Sequence, residues 1–252
     1  MHIPTTIAII PARYASTRFP GKPLANINGK TMIRCVYERV ATVIDRVVVA
    51  TDDERIFCEV ESFGGQVVMT SANHRSGTDR CAEALDILEK EKKWEADVVI
   101  NIQGDEPFIR QEQIQAINSC FTDDTVEIAT LVRPFDDADE LINPNRVKVV
   151  IDTNSNALYF SRSVIPFIRR TGNEDWLQHH KYYQHIGMYA FRAGILKTIV
   201  TLNVSFLEKA ESLEQLRWLE NGYRIKTVIT HYESYCIDTP DDLRNIIQKG
   251  IV

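Results

Sequence analysis

The sequence predicts an α/β fold: a mainly parallel sheet with helices on both faces and a smaller antiparallel layer. Three observations predict it. Short apolar runs rich in β-branched residues alternate with longer stretches of helical periodicity through roughly the first hundred residues. Those runs are nearly continuously apolar, as strands covered on both faces require. After about residue 125 the pattern changes to alternating and hairpin-like strands.

Residues 5–12, TTIAIIPA, read as a buried strand. KTMIRCVYERVAT (30–42) carries apolar residues at helical spacing, and RVVVAT (46–51) is a second strand. DERIFCEVESFG (53–64) reads as a helix stopped at Gly64 and Gly65. QVVMT (66–70) is a strand, GTDRCAEALDILEKEKKW (77–94) a helix with a charged outer face, and ADVVINIQGDEP (96–107) a strand again. EIATLVRPF reads as a strand, and RVKVVIDTNSNALYFSR as a hairpin around DTNSN. YQHIGMYAFR (183–192) alternates, helical stretches cover about 193–203 and 207–221, and YRIKTVITH (223–231) is the last strand. DTPDDLRNIIQKG closes the sequence as a helix from Pro240, capped by Asp238 or Thr239. No repeat or linker interrupts residues 1–252, which read as a single domain with an antiparallel lobe at about 125–192.

The 252 residues, 44% of them hydrophobic, suffice for a sizeable core. A net charge of -6 argues against general nucleic-acid binding, which needs a basic field. Cys35, Cys58, Cys81, Cys120 and Cys236 are scattered without paired spacing, as expected of reduced thiols. The first apolar run has no charged residues before it and is too short for a signal peptide, and no stretch is long enough to span a membrane. These features predict a soluble cytoplasmic protein that engages neither membrane nor nucleic acid.

Against that acidic background, Arg13, Arg18 and Lys22 fall within ten residues that contain no acid, directly after the first strand. Ligands of open α/β sheets bind beyond the carboxyl ends of strands. The loop PARYASTRFPGK occupies that position. Its small residues Ala12, Ala15, Ser16, Thr17 and Gly21 let main-chain amides approach an anion, and its cations supply charge and forked donors. A solvated basic loop is the alternative. Two familiar phosphate loops are excluded: Gly21-Lys22 is followed by Pro23 rather than Ser or Thr, and no GxGxxG follows the strand.

A second feature is INIQGDEPFI (100–109), a strand that ends in carboxylates at the same sheet edge. Oxygen ligands there suit Mg²⁺, which is commonly held by one or two carboxylates with phosphates completing its shell. A strand-ending turn with a helix cap fits equally. In the third, YCIDTPDDL (235–243), Asp238 reads alone as a helix cap, or with Asp105 as the second carboxylate of a metal site.

Taken together, IIPARYASTRFPGKPLANINGKTMI, HRSGTDR, NIQGDEP, NPNRVKVV, ALYFSRSVIPF, HIGMYAFR, LEKAESLEQLRWLENGYRI and IDTPDDL resemble the 3-deoxy-manno-octulosonate (Kdo) cytidylyltransferase, or CMP-Kdo synthetase, family. They occur in family order from residue 7 to 243. The PARxxSxRxPGK loop alone indicates a sugar nucleotidyltransferase; QGDEP, ALYFSR and HIGxYxFR together are more specific. Thr31 stands where Pro is expected and Phe167 where Trp is common, and segment 169–183 looks variable.

The resemblance implies a Rossmann-like nucleotidyltransferase sheet whose antiparallel lobe serves sugar binding and dimerisation. It implies CTP and Kdo as substrates, CMP-Kdo and pyrophosphate as products, Mg²⁺ as cofactor, a homodimer, and lipopolysaccharide synthesis in the cytoplasm. Arg13, Lys22 and Asp105 would be catalytic, Arg18 would join the two cations on the triphosphate, and Asp105 and Asp238 would bind the metal. Cytosine would be read near Ala12, Thr51, Asp52, Ser76 and Gly77. Arg80 and Arg162 would meet the sugar carboxylate, and Gln103, His185, Tyr189 and Glu214 its hydroxyls.

Simpler roles stand beside these. His185 reads as a core histidine, Tyr189 and Phe191 as packing neighbours, and Glu214 with Arg217 as a helix-surface pair. Rival functions are a cytidylyltransferase for sialic acid or an 8-amino analogue, a non-catalytic nucleotide-binding protein, and a glycosyltransferase, which usually shows DxD where this strand ends Gly-Asp-Glu.

Overall fold

The first apolar run forms β1 (Thr6–Ala12), in which Ile7 to Ile10 are wholly buried. The structure, a computed structural model, describes residues 4–15, 18–169, 172, 175–233, 237 and 239–248. Two units share the chain, Met1–Asn118 with Ser234–Val252, and Ser119–Glu233.

In the first unit β1 is followed by a small antiparallel pair, β2 (Asn26–Ile27) and β3 (Lys30–Thr31), and then by α1 (Met32–Ala41). Helix α1 buries Met32, Ile33, Val36 and Val40, one stripe at helical spacing. Next come β4 (Arg46–Thr51), α2 (Glu54–Ser62), β5 (Val67–Met69), α3 (Gly77–Ile87), β6 (Val98–Asn101) and α4 (Gln111–Ser119). The strands lie in the order β6-β1-β4-β5, all parallel, with Ile9 opposite both Val48 and Asn101. Fully burying each such aliphatic side chain contributes about 1.5–3 kcal/mol.

Strand order determines where a ligand can enter. The chain steps from β1 to β4 and from β4 to β5 in one direction, then returns past β1 to β6. Right-handed crossovers therefore put α1 and α2 on one face and α3 on the other. The reversal opens a crevice at the carboxyl ends of β1 and β6, where doubly wound sheets bind ligands.

The second unit comprises β7 (Ile128–Pro134), α5 (Ala138–Ile142), β8 (Lys148–Ile151), β9 (Ala157–Ser161), α6 (Trp176–His179), β10 (Tyr183–Arg192), α7 (Ala193–Ile199), α8 (Phe206–Glu211), α9 (Gln215–Glu220) and β11 (Ile225–Ile229). β7 pairs in parallel with β11 and antiparallel with β10, and β8 joins β10 to β9 in an antiparallel hairpin. The last helix, α10 (Pro240–Gln248), belongs to the first unit.

Three expectations need correction. The strand predicted over 96–107 ends at Asn101, because the chain turns through Gly104 and Pro107. The helix predicted over 77–94 gives way at Leu88 to a π-helical turn, which stops at Lys93 in the left-handed region, φ 55°. The helix predicted over 207–221 is two helices broken at Ser212, also left-handed at φ 53°. Between Asp238 and Thr239 as caps of α10, Thr239 makes the reciprocal pair. Its hydroxyl accepts the Asp242 N–H, and the Asp242 carboxylate accepts the Thr239 N–H.

Candidate active site

At the crevice of the first unit, three segments line one cavity. The first is Pro11 to Arg13 with Arg18, Lys22 and Pro23; the second is His74 to Gly77 with Arg80; the third is Gln103 to Asp105. Each follows the carboxyl end of a strand: β1, β5 and β6.

Local chemistry shapes the first loop. Gly21 sits at φ 70°, and its N–H donates to Tyr14 O at 3.0 Å, closing the loop on itself. Lys22 then opens a short 3-10 turn, with Pro23 in a position that needs no N–H. The Tyr14 ring is held by the Arg55 guanidinium, 3.3 Å from its centroid, and Arg55 in turn pairs with Asp53.

Lys22 is the hub of the cavity floor. Its Nζ donates to Asp105 Oδ2 at 2.5 Å and to Ile237 O at 2.8 Å, and the Ile237 N–H donates back to Asp105 O at 3.2 Å. Three segments distant in sequence are thus tied together. Asp238 lies outside the described residues, but its neighbour Ile237 is held against Asp105. Among the described residues no group of three or more His, Cys, Asp or Glu could hold a metal ion.

The α3 side requires small residues. A Cβ on Gly77 would stand 3.1 Å from Pro11 Cγ, so glycine lets the helix start close to β1. Ser76 caps that helix by accepting the Asp79 N–H. Arg80 is buried and points inward: it donates to Thr70 Oγ1 at 2.6 Å and Ser71 O at 3.4 Å, and lies 3.5 Å from Asp52 Oδ2. Gln103 donates to Asn101 Oδ1 at 3.3 Å.

The structure thus gathers Ala12, Arg13, Arg18, Lys22, Ser76, Gly77, Arg80, Gln103 and Asp105 around one cavity. Thr51 and Asp52 are not on its wall. Thr51 is wholly buried, and Asp52 Oδ2 lies 3.5 Å from the cavity residue Arg80. Among the described residues, the cavity lining carries five basic side chains, Arg13, Arg18, Lys22, Arg75 and Arg80, and one carboxylate, Asp105, a balance that favours an anion. His74 and Arg75 were missed from sequence, although they open the HRSGTDR motif from which Ser76, Gly77 and Arg80 were taken.

The remaining predicted residues lie in the second unit. A β-bulge governs two of them. His185 faces Val132 and Tyr189 faces Thr130, so Gly187 and Met188 are looped out. Residues four apart on a regular strand would be about 13 Å apart; here the two rings are 5.2 Å apart. The Thr130 hydroxyl fills the bulge, within reach of Ile186 O, Met188 O and His185 Nε2. With its hydrogen given to a carbonyl, Thr130 Oγ1 accepts from the imidazole, which leaves His185 protonated on Nε2. Burial pushes the His185 pKa down to about 3, so the ring is neutral.

Burial, reinforced by Glu214, pushes the Tyr189 hydroxyl far above its ordinary pKa. That hydroxyl and Gln215 Nε2 are both buried without a hydrogen-bond partner among the described residues. Tyr189 also packs, stacking on Phe191 and meeting Trp218 edge-on. Arg217 makes a bidentate pair with Glu208 at 2.7 Å. Arg162 donates to three main-chain carbonyls, Glu211, Pro144 and Ser212, which leaves two of its five N–H groups.

A protein-family model described as cytidylyltransferase matches residues 7–227. The 3-deoxy-manno-octulosonate cytidylyltransferase of Parabacteroides distasonis is 59% identical over 96% of this chain and 96% of its own. That of Bacteroides thetaiotaomicron is 59% identical over 95% of each. Among solved structures, CMP:2-keto-3-deoxy-manno-octonic acid synthetase complexed with CTP superposes with a TM-score of 0.88 at 40% identity, covering 98% of this chain and 99% of the other. A 4-diphosphocytidyl-2C-methyl-D-erythritol synthase from Anaerococcus prevotii, at 16% identity and a TM-score of 0.56, shares the fold.

Proposed function

Because the chain belongs to the 3-deoxy-manno-octulosonate cytidylyltransferases within the cytidylyltransferase family, we propose that it transfers the cytidylyl group of CTP to Kdo. The observation that carries this reading is the cavity at the β1–β6 crevice, whose described lining holds five basic side chains and Asp105.

In this reading the anomeric hydroxyl of Kdo attacks the α-phosphorus in line. The new O–P bond forms as the bond from the α-phosphorus to the oxygen bridging it to the β-phosphorus breaks; pyrophosphate leaves with that oxygen, and the hydroxyl proton passes to solvent. Such a transfer needs positioning and charge neutralisation rather than a covalent nucleophile. Arg13, Arg18 and Lys22 would hold the triphosphate and then the leaving group. The start of α3 at Ser76 and Gly77, with Ala12, would meet the cytidine. Arg162 retains donors for the sugar carboxylate and Arg80 is its second candidate; Gln103, His185, Tyr189 and Glu214 would read hydroxyls. The unpartnered Tyr189 hydroxyl supports that role.

Mg²⁺ fits the donor chemistry, since Asp105 offers hard carboxylate oxygen in the same cavity as the cations that would meet phosphate. Asp105 would hold it, with Asp238, which lies outside the described residues, as the second carboxylate. When bound, the ion would neutralise phosphate charge and make the attacking hydroxyl more acidic.

We further propose a homodimer. Leu158 is exposed on β9, which among the described residues is paired in a ladder with β8 alone, and such an edge suits self-association. We also propose that the reaction serves lipopolysaccharide synthesis in the cytoplasm; among the described residues no helix is long and apolar enough to cross a membrane. Incubation with CTP, Kdo and Mg²⁺ tests the function: pyrophosphate and a CMP-sugar should appear in equal amounts, and intact CTP with folded protein would contradict it.

A further inference from the structure

We propose that Glu83 is a positioning residue for the nucleotide, holding His74 at the cavity through a clasp on the turn that precedes α3. A single carboxylate oxygen makes the clasp. Glu83 Oε2 accepts the Ser71 N–H at 2.8 Å and is also hydrogen-bonded to His74 Nε2. Ser71 and His74 begin and end the segment SANH, so one oxygen ties both ends of that turn to the helix. Inside the turn, the Asn73 N–H donates to Ser71 Oγ at 3.1 Å.

Arg80 completes the grip. Three residues from Glu83, and so on the same face of α3, it donates to Ser71 O. Both main-chain polar groups of Ser71 are therefore bound by side chains of one helix. Burial pushes the Glu83 pKa up, but hydrogen bonds from His74 and Ser71, with the nearby Arg80 charge, bring it below its ordinary value. The carboxylate thus stays ionised and only accepts, so His74 Nε2 is the donor and Nδ1 is the ring's remaining polar atom.

The arrangement looks outward as well as inward. His74 lines the cavity, whereas Glu83 does not, and the residues that follow His74 are the cavity residues Arg75, Ser76 and Gly77. A clasp serving only the helix would not need its histidine on the cavity wall. This inference rests on the reading of that cavity as the nucleotide site. It assigns His74 as a contact to the nucleotide and Glu83 as the group that sets the ring's orientation.

Calorimetric titration of CTP into wild type, Glu83→Ala, Glu83→Gln, His74→Ala and the double alanine variant tests it. Glu83→Ala and His74→Ala should each weaken CTP binding about tenfold, the scale of one charge-assisted contact. The double variant should lose about the same tenfold rather than a hundredfold, because the residues act as one unit. Glu83→Gln should stay within about threefold of wild type, since an amide oxygen also accepts both bonds. In turnover assays the KM for CTP should rise while the KM for the sugar does not. Glu83→Ala that melts lower yet binds CTP as wild type does would overturn the inference, as would independent losses in the double variant. Failure of the wild type itself to bind CTP would overturn both the nucleotide reading and this inference, and is distinguishable because no substitution is involved.

Discussion

Replacing Gly21 by alanine tests how the basic loop is shaped. At φ 70° the residue is left-handed, which costs an L-residue about 1–2 kcal/mol. The new Cβ would stand 3.0 Å from Tyr14 Cζ and Oη and 3.1 Å from Cε2, closer than ordinary contact. The ring cannot swing away without leaving Arg55, 3.3 Å from its centroid, a contact of about 0.5–1 kcal/mol. Reduced freedom of the unfolded chain returns about 0.4–1 kcal/mol. The net loss is about 1–2 kcal/mol, or a melting temperature lower by about 2–8 °C for a chain of this size. Gly29→Ala is the control, because Gly29 is also left-handed, φ 89°, but has nothing within 4 Å of the added Cβ. Thermal melts of both variants should rank Gly21→Ala below Gly29→Ala. The KM for CTP should rise only in Gly21→Ala, whose loop carries Arg13, Arg18 and Lys22. Equal melting of the two variants with an unchanged KM would refute the reasoning.

Asp105→Asn should lower turnover by about 10²–10³-fold, the scale of losing one preorganised charged group, while the variant remains folded by circular dichroism; near-normal turnover would remove Asp105 from the chemistry. Lys148 is wholly buried and its Nζ donates to Asn143 O and Arg162 O. Asn143 O also accepts the Arg146 N–H, so Lys148→Met should lower the unfolding free energy from urea titration by about 1–3 kcal/mol, chiefly through the Arg162 carbonyl, and an unchanged free energy would contradict that role. His185 has a folded pKa of about 3 against an ordinary 6.5, so below pH 6.5 the unfolded state binds the extra proton. Its contribution is full above about pH 6.5 and declines toward pH 3, by at most about 1.4 kcal/mol per pH unit. His185→Gln should flatten the pH dependence of the urea midpoint between pH 6.5 and 4.5, and parallel curves would show that the ring is not held neutral.

Continuous apolarity made β1 and β4 legible, because strands buried on both faces need nothing else in their sequence. Helix periodicity was less informative where a single residue ended a helix. Ser212 and Lys93 adopt left-handed conformations without being glycine, and the apolar pattern runs on past both. The basic loop could be read because Arg13, Arg18 and Lys22 are neighbours in sequence and follow a recognisable strand. Asp105 could be read because a strand leads into it. The His74–Glu83 pair could not, since it joins a turn to a helix and matches no local pattern. The β10 bulge was hidden for a related reason. HIGMYAFR alternates well enough to read as a regular strand, and only pairing with β7 shows Gly187 and Met188 to be looped out.

The most direct test of the central claim is initial-rate pyrophosphate release with Mg²⁺, crossing the four common nucleoside triphosphates with Kdo, its 8-amino analogue and sialic acid. Release confined to CTP with Kdo is the predicted result. Release with CTP and a different sugar would contradict the sugar assignments, and silence from folded protein across the whole panel would contradict the catalytic account itself.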